Sequence, residues 1–282
     1  MARIVGVHGI WWHWKSRAEM EDTWRTALRT GLENIRDPHA ATATFEAAYY
    51  GHLYNAGSGK SDGGRAYTAA DVEEGFELDL LEALAAAVIA DDPAARPGDD
   101  AATKGLAIRG VQALLDVVQR SPFIGGMASS GVIRLLKQVH RYFDDAQLRS
   151  DVRAEVRAAI GSDTRVVVAH SLGTVAAYEE LWDHPEWEID TLVTMGSPLG
   201  LKGVMSRLDP KAGAKPGLPP SVRRWVNVSA EQDIVALRKR LKTLYGDAVE
   251  DFVVDNPLLQ FHDSARYLTN VRTARAVAAA LG

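Results

Sequence analysis

Residues 165–178 read Arg-Val-Val-Val-Ala-His-Ser-Leu-Gly-Thr-Val-Ala-Ala-Tyr, and this stretch decides the fold of the chain. Its three consecutive valines form a β-branched apolar run, which is typical of a strand buried on both faces. The small and apolar residues that follow Ser171 favour a helix that packs closely on the strand it has just left. Ser171 is therefore predicted to lie at a sharp turn between a strand and a helix.

Small residues flank Ser171 two positions to either side. Ala169 and Gly173 leave room for the strand and helix backbones to approach each other, as the glycines do in the Gly-x-Ser-x-Gly turn that presents a nucleophilic serine. Such a turn also directs the first amide of the helix toward the place where an oxyanion forms during acyl transfer. The alternative is that Ser171 serves only as the N-cap of the helix, which is a common role of serine in this position.

The composition indicates a globular protein without a basic face. The chain has 282 residues, of which 46% are hydrophobic and 24% charged, and its net charge is −5. This length suits one α/β domain spanning 1–282, and the acidic balance argues against nucleic acid as a partner. Cysteine is absent, which excludes disulfides, thiolate metal sites and cysteine nucleophiles. Neither a signal-type segment nor an uncharged apolar run of about 18 residues is present, so we expect no transmembrane segment and a cytoplasmic location.

Strand and helix patterns alternate along most of the chain. Strands are predicted at 3–7, 43–50, 166–168, 189–195, 224–229 and 252–254. Their alternation with amphipathic helices predicts an α/β fold with a mostly parallel central sheet of about six strands and helices on both faces. One continuous helix is predicted at the C-terminus, with an apolar face formed by Leu268, Val271, Ala274, Ala278 and Leu281.

The segment 51–131 departs from this alternation. Thr68 and Asp71 form a capping-box pattern ahead of an apolar stripe with a four-residue period, and a second helix is predicted at 103–119. Glycines and a proline in 121–131 are typical of a hinge. We expect a helical insertion over the carboxyl edge of the sheet, which serves as a lid above an apolar pocket. The alternative is that the segment only adds packing.

Several groups suited to acyl transfer follow predicted strands. Because the carboxyl ends of parallel strands share one edge of a sheet, the loop 8–10, Ser171, Asp233 and His262 are expected to converge there. A serine hydroxyl needs an imidazole to accept its proton, and a carboxylate holds that imidazole in the right tautomer. The alternatives are structural roles only: Asp233 as an ordinary turn residue, and His262 as a capping or core histidine.

With these residues the chain resembles the α/β-hydrolase superfamily, and within it the lipase- and esterase-like branch. The resemblance rests on 169–173 as the nucleophile elbow, on 7–10 as the oxyanion loop, and on the chain order serine, aspartate, histidine. Two features depart from the family pattern. The chain begins at the oxyanion strand, without the two leading strands of larger members, and its loop reads His-Gly-Ile instead of His-Gly-Gly-Gly.

The resemblance implies a role for each residue. Ser171 would be the nucleophile, His262 the general base and acid, and Asp233 its orienting partner. The backbone amides of Leu172 and Ile10 would form the oxyanion hole, where one such donor typically contributes roughly 3 kcal/mol to lowering the barrier.

The resemblance also implies a serine hydrolase that cleaves a carboxylic ester of a small molecule or lipid through an acyl-enzyme intermediate, with no cofactor and no metal. Trp11 and Trp12 would wall the acyl pocket, unless they only pack as large aromatics. Thioesterase, amidase and acyltransferase activities remain open, because the fold does not choose the leaving group. A non-catalytic binding module on the same scaffold is a further alternative.

Overall fold

The structure is a computed structural model, which describes residues 3–10, 12–55, 66–95, 107–121, 128–209, 217–257 and 260–282. The strands in these ranges are β1 (Arg3–Val7), β2 (Thr44–Ala48), β3 (Thr164–His170), β4 (Ile189–Met195), β5 (Val222–Ala230) and β6 (Val249–Val254). All neighbouring pairs are parallel, and the order across the sheet is β2-β1-β3-β4-β5-β6. The predicted α/β class and parallel six-stranded sheet are confirmed.

The helices of the described ranges connect and cover these strands. They are α1 (Arg17–Asn34), α2 (Gly51–Asn55), α3 (Phe76–Asp91), α4 (Ala107–Gln119), α5 (Ser129–Asp144), α6 (Ala146–Ala159), α7 (Leu172–Asp183), α8 (Lys202–Met205), α9 (Lys242–Tyr245), α10 (Ser264–Thr269) and α11 (Val271–Leu281). Short 3₁₀ helices include Trp12–Trp14, Ala69–Asp71 and Pro198–Gly200. Among these described helices, none combines the length and the apolar character that crossing a membrane would require.

The strand order reverses once, between β1 and β3. From β1 the chain moves outward to β2, then returns past β1 to β3 and continues in the opposite direction to β6. Where the order reverses, the loops leaving the two strands diverge and open a crevice at their carboxyl ends. Both the loop 8–10 and Ser171 follow the strands of this switch point.

Alternate side chains of the strands supply two separate cores. Val166 and Val168 belong to a core shared with α1, α10 and α11, in which Trp24 is fully buried. Val167 belongs to a second core on the opposite face, shared with α3 to α7, in which Tyr178 is almost fully buried. Since burying a large apolar side chain contributes roughly 1.5–3 kcal/mol, helices on both faces account for the continuous apolar runs of the central strands.

The start of α3 corrects one expectation. Thr68 and Asp71 do form a capping box, but it caps the 3₁₀ helix Ala69–Asp71. The α-helix starts at Phe76, after Gly75, whose φ of 86° is a left-handed conformation that suits glycine. The predicted apolar stripe is nonetheless buried in the core that α3 shares with α4, α5 and α7.

The single C-terminal helix predicted from the apolar periodicity is wrong. Two helices, α10 and α11, occupy this region, and Asn270 separates them. The side chain of Asn270 accepts a hydrogen bond of 2.9 Å from the backbone N–H of Arg272 and so caps α11. Val271 is exposed rather than part of the apolar face, because it lies in the first turn after this break.

Candidate active site

Ser171 occupies a strained turn between β3 and α7. Its φ of 54° and ψ of −131° lie outside the regions that most residues adopt, and such a conformation costs on the order of 1–3 kcal/mol. Its side chain makes no capping hydrogen bond, which argues against the N-cap alternative. Instead, its backbone N–H donates to the carbonyl of Met195 at 3.0 Å. The neighbouring strand, not the serine hydroxyl, holds this turn.

The small residue two positions after Ser171 has a steric reason. A Cβ at Gly173 would lie 2.2 Å from the carbonyl oxygen of His8, so the first turn of α7 runs directly against the end of β1. Backbone atoms form this contact and cannot rotate away as a side chain could. Gly173 therefore allows the close strand–helix approach that its position in the sequence predicts.

The loop after β1 lies against the side chain of Ser171. A Cβ built on Gly9 would lie 2.6 Å from the Cβ and 3.2 Å from the Oγ of Ser171. His8 anchors this loop, because its Nε2 accepts a hydrogen bond of 3.0 Å from the backbone N–H of Tyr50 and its ring stacks on the Tyr50 ring. The Tyr50 hydroxyl in turn donates to the carbonyl of His8.

Two backbone amides belong to the segments that meet here, one to the start of α7 and one to the loop after β1. Leu172 is the first residue of α7, so its N–H has no carbonyl four residues earlier within the helix to bond. Ile10 follows the loop residue that touches Ser171, and its side chain is buried in the core shared with α3 to α7. These are the two amides that the resemblance assigns to the oxyanion hole.

Asp233 and His262 form a buried hydrogen-bonded pair. The Nδ1 of His262 lies 2.7 Å from the Oδ2 of Asp233, and the two side chains are 4% and 0% exposed. The other carboxylate oxygen accepts backbone N–H groups, from Val235 at 2.9 Å and from Ala236 at 3.3 Å. Both oxygens of the acid are thus occupied, and the Nδ1 contact directs the opposite ring nitrogen, Nε2, away from the acid.

A tyrosine completes the surroundings of the acid. The hydroxyl of Tyr267, on α10, donates to the same Oδ2 of Asp233 at 2.6 Å and accepts the backbone N–H of Ala230 at 2.8 Å. Burial alone would raise the pKa of Asp233. The charge and hydrogen bond of His262, the Tyr267 hydroxyl and the charge of Lys239 outweigh burial and lower that pKa to about 2. The carboxyl group is therefore ionised throughout the ordinary pH range.

Gly196, after β4, lies between the serine turn and this pair. Its φ is 55°, and a Cβ there would lie 2.8 Å from both Asp233 Oδ2 and His262 Nδ1. The His262 ring also lies against the ring of His170, with a centroid separation of 4.4 Å. Burial and the nearby His262 lower the pKa of His170 well below its usual range, so the residue before Ser171 is uncharged.

The structure therefore gathers the residues predicted for acyl transfer at one edge of the sheet. Ser171 touches the loop after β1, its N–H bonds the end of β4, and the Asp233–His262 pair borders Gly196 directly after β4. Sequence reasoning missed Tyr267 and the role of Gly196. Gly196, between a buried strand and Ser-Pro, was a signal for the second, whereas no local pattern distinguished Tyr267.

The structure describes one of the two tryptophans that were predicted to line an acyl pocket. Trp11 lies outside the described residues. Trp12 is half-buried against the core on the α1 face, with Lys15 Nζ 5.0 Å above its ring and its carbonyl accepting the Tyr49 hydroxyl at 3.3 Å. These contacts are those of a packed aromatic residue, and a role of Trp12 in binding an acyl group stays a prediction.

One cluster of possible metal ligands lies elsewhere, between α3 and α5. It comprises Glu73, the buried Glu77, and His140, whose Nδ1 is 2.9 Å from a Glu77 oxygen. The ammonium of Lys137 bonds both carboxylates, at 3.1 and 3.2 Å. Partial burial opposes its charge, but these two glutamates raise the pKa of Lys137. The lysine thus supplies the positive charge at this site, and the cluster joins the two helices as an ion-pair network.

Comparisons of this chain with protein-family models, with curated proteins and with solved structures found no match.

Proposed function

We propose that this protein is a serine hydrolase of the α/β-hydrolase type that cleaves a carboxylic ester. The observation that carries the proposal is the buried His262–Asp233 hydrogen bond of 2.7 Å, at the same sheet edge as the strained turn of Ser171. A buried acid held ionised beside a histidine costs desolvation energy that an inert core does not need to spend. The position of Ser171 at the switch point of the sheet is a further support.

The proposed reaction proceeds in two halves. Ser171 Oγ attacks the ester carbonyl and gives its proton to His262 Nε2, while the amides of Leu172 and Ile10 hold the oxyanion. The tetrahedral intermediate expels the alcohol, which takes the proton from His262, and an acyl-serine remains. Water then attacks this ester and passes a proton to His262. When the second intermediate collapses, Ser171 Oγ takes this proton from His262 and the carboxylic acid is released. Asp233 keeps Nδ1 protonated throughout.

Reaction with a fluorophosphonate probe tests the nucleophile. The wild-type protein should be labelled and should hydrolyse p-nitrophenyl esters, and Ser171→Ala should lose both, with kcat falling by up to roughly 10⁶. Ser197→Ala is the matched control, because Ser197 is also buried after a strand but bonds Thr174 Oγ1 at 2.7 Å. Labelling that persists in Ser171→Ala would disprove the assignment, and a folded wild type that never labels would favour a binding module.

We further propose that the segment 51–131, of which 56–65, 96–106 and 122–127 lie outside the described residues, acts as a lid. Ser171 and His262 are only 6% and 7% exposed, so an ester must displace part of the surrounding chain to reach them. A lid that opens at a lipid surface should make the hydrolysis rate rise steeply when a water-insoluble ester passes its solubility limit. A rate that saturates smoothly through that limit, for the same ester and protein, would argue for packing alone.

A further inference from the structure

A groove runs beside the candidate active site, between α3 and the loops that follow β4 and β5. It has a volume of about 750 Å³, within the range typical of small-molecule sites. Its walls are mostly aliphatic, formed by Ala83, Leu201, Met205, Leu208, Leu237 and Leu244. The size and the aliphatic lining suit an alkyl chain.

The groove adjoins a hollow beside the acid, and the two have one wall residue in common. A smaller hollow of about 240 Å³ is lined by Asp233, Lys239 and Ala87, and it shares Leu237 with the groove. On the other side, the 3₁₀ helix Pro198–Gly200 connects the groove to the glycine that borders the Asp233–His262 pair. The groove therefore shares Leu237 with the hollow beside Asp233, and the loop that follows Gly196 forms part of its wall.

The two charged residues that line the groove itself are cations, whereas Glu231, Asp233 and Lys239 line the adjoining hollow. Lys202 and Arg238 line the groove, and no aspartate or glutamate does, although the whole chain carries a net charge of −5. Both cations are exposed, and neither forms an ion pair with a carboxylate within the described part of the chain. The stem of Arg238 packs on Gly200, where a Cβ would come within 2.3 Å of the arginine Cβ, and this contact fixes the base of that side chain. An anionic group at this rim would meet two unpaired cations.

We infer that the substrate is an anionic amphiphilic ester, whose aliphatic chain lies in this groove and whose carboxylate or phosphate lies against Lys202 and Arg238. This inference rests on the proposed ester hydrolysis and adds the chemical class of the substrate. The apolar walls bind the chain through burial, and the two cations select the anionic end. Neutral esters of the same length bind through the walls alone.

Two p-nitrophenyl esters of equal chain length test the inference, the nonanoate and the monoester of nonanedioic acid, which differ by the terminal carboxylate. The Lys202→Gln/Arg238→Gln double variant should lower the ratio of kcat/KM for the carboxylated ester to that for the neutral one by about fivefold to tenfold, mainly through KM. Raising the salt concentration should lower the same ratio in the wild type. Arg240→Gln is the matched control, since Arg240 is exposed in the same loop but does not line the groove.

A ratio that stays the same in the double variant, or falls equally in Arg240→Gln, would overturn the inference. The affinity of the Ser171→Ala protein for the nonanoate ion, measured by calorimetry, provides a readout besides activity. Adding Lys202→Gln and Arg238→Gln to the Ser171→Ala protein should weaken the binding of nonanoate, and adding Arg240→Gln should not. If nonanoate does not bind the Ser171→Ala protein at all, the inference is also overturned. If no ester is cleaved while nonanoate still binds in this pattern, the proposed reaction fails and the groove assignment stands.

Discussion

Removing one hydroxyl, in Tyr267→Phe, tests how the acid is held. The hydroxyl donates to the ionised Asp233 at 2.6 Å and accepts the N–H of Ala230 at 2.8 Å, and the side chain is fully buried. A hydrogen bond to a charged group is worth about 1.5–3 kcal/mol, and the orphaned N–H adds about 1 kcal/mol. The free energy of unfolding at pH 7 should therefore fall by about 3 kcal/mol. Denaturant titrations measure this change directly.

The matched control is Tyr245→Phe. The hydroxyl of Tyr245 is also buried, but it donates to a neutral acceptor, the carbonyl of Leu199, at 2.8 Å. Its loss should cost about 1 kcal/mol at every pH. The two hydroxyl groups thus differ in the charge of the group that accepts their hydrogen bond. The difference between the two losses in the free energy of unfolding therefore measures the effect of that charge.

The pH dependence separates the two variants further. The pKa of Asp233 is about 2 in the folded protein, against 3.8 ordinarily, so its ionised form stabilises the fold above pH 3.8, and this stability is lost as the pH falls toward 2. The depression corresponds to about 2 kcal/mol at neutral pH. Because Tyr267 contributes to it, the effect of Tyr267→Phe should shrink as the pH falls from 3.8 toward 2. Equal losses in both variants, or a gap that does not change with pH, would refute this reasoning.

Two glycine substitutions, each with a control substitution at another glycine, test the close approaches around the site. Gly196→Ala should perturb the Asp233–His262 pair, because its methyl group would lie 2.8 Å from both partners, and it should lower the rate of ester hydrolysis more than the stability of the fold. Gly246→Ala is the control, because Gly246 is also at positive φ but has nothing within 4 Å. It should lower the free energy of unfolding by about 1–2 kcal/mol and leave ester hydrolysis unchanged. Gly173→Ala should lower the melting temperature severely or prevent folding, since its methyl group would meet the His8 carbonyl at 2.2 Å. Gly110→Ala, in an open position on α4, should instead stabilise by about 0.5–1 kcal/mol. A Gly173→Ala protein that melts at the wild-type temperature would contradict the contact with His8. Equal rates of ester hydrolysis in Gly196→Ala and Gly246→Ala would contradict the contact of Gly196 with the Asp233–His262 pair.

Local patterns in the sequence account for the strands and for the serine turn. The strand Ile189–Met195 was predicted to the residue, because its apolar and β-branched residues end at the turn residues Gly196-Ser197-Pro198. The turn at Ser171 followed from a change between two local patterns, with a small residue on either side. Both inferences depend on neighbours within a few residues, and a sequence displays such neighbours directly.

Local patterns failed where two local rules competed. The capping box at Thr68 was real but capped a short 3₁₀ helix, since α3 begins only at Phe76, after Gly75, about two turns further on. Apolar spacing at the C-terminus predicted one helix, but the side chain of Asn270 caps a second helix and ends the first. In both places a single polar or flexible residue outweighed the periodicity of several apolar ones.

By itself, then, the sequence determined the strand–helix alternation, the turn at Ser171 and the residue types gathered at one sheet edge. Only the tertiary structure decided which groups meet there. Tyr267 lies 34 residues from the Asp233 carboxylate that it bonds, and Gly196 touches the Asp233–His262 pair from a different strand. The physical reason is that burying an ionised acid requires several partners at once, and the packing of separate strands and helices brings them together from distant parts of the chain.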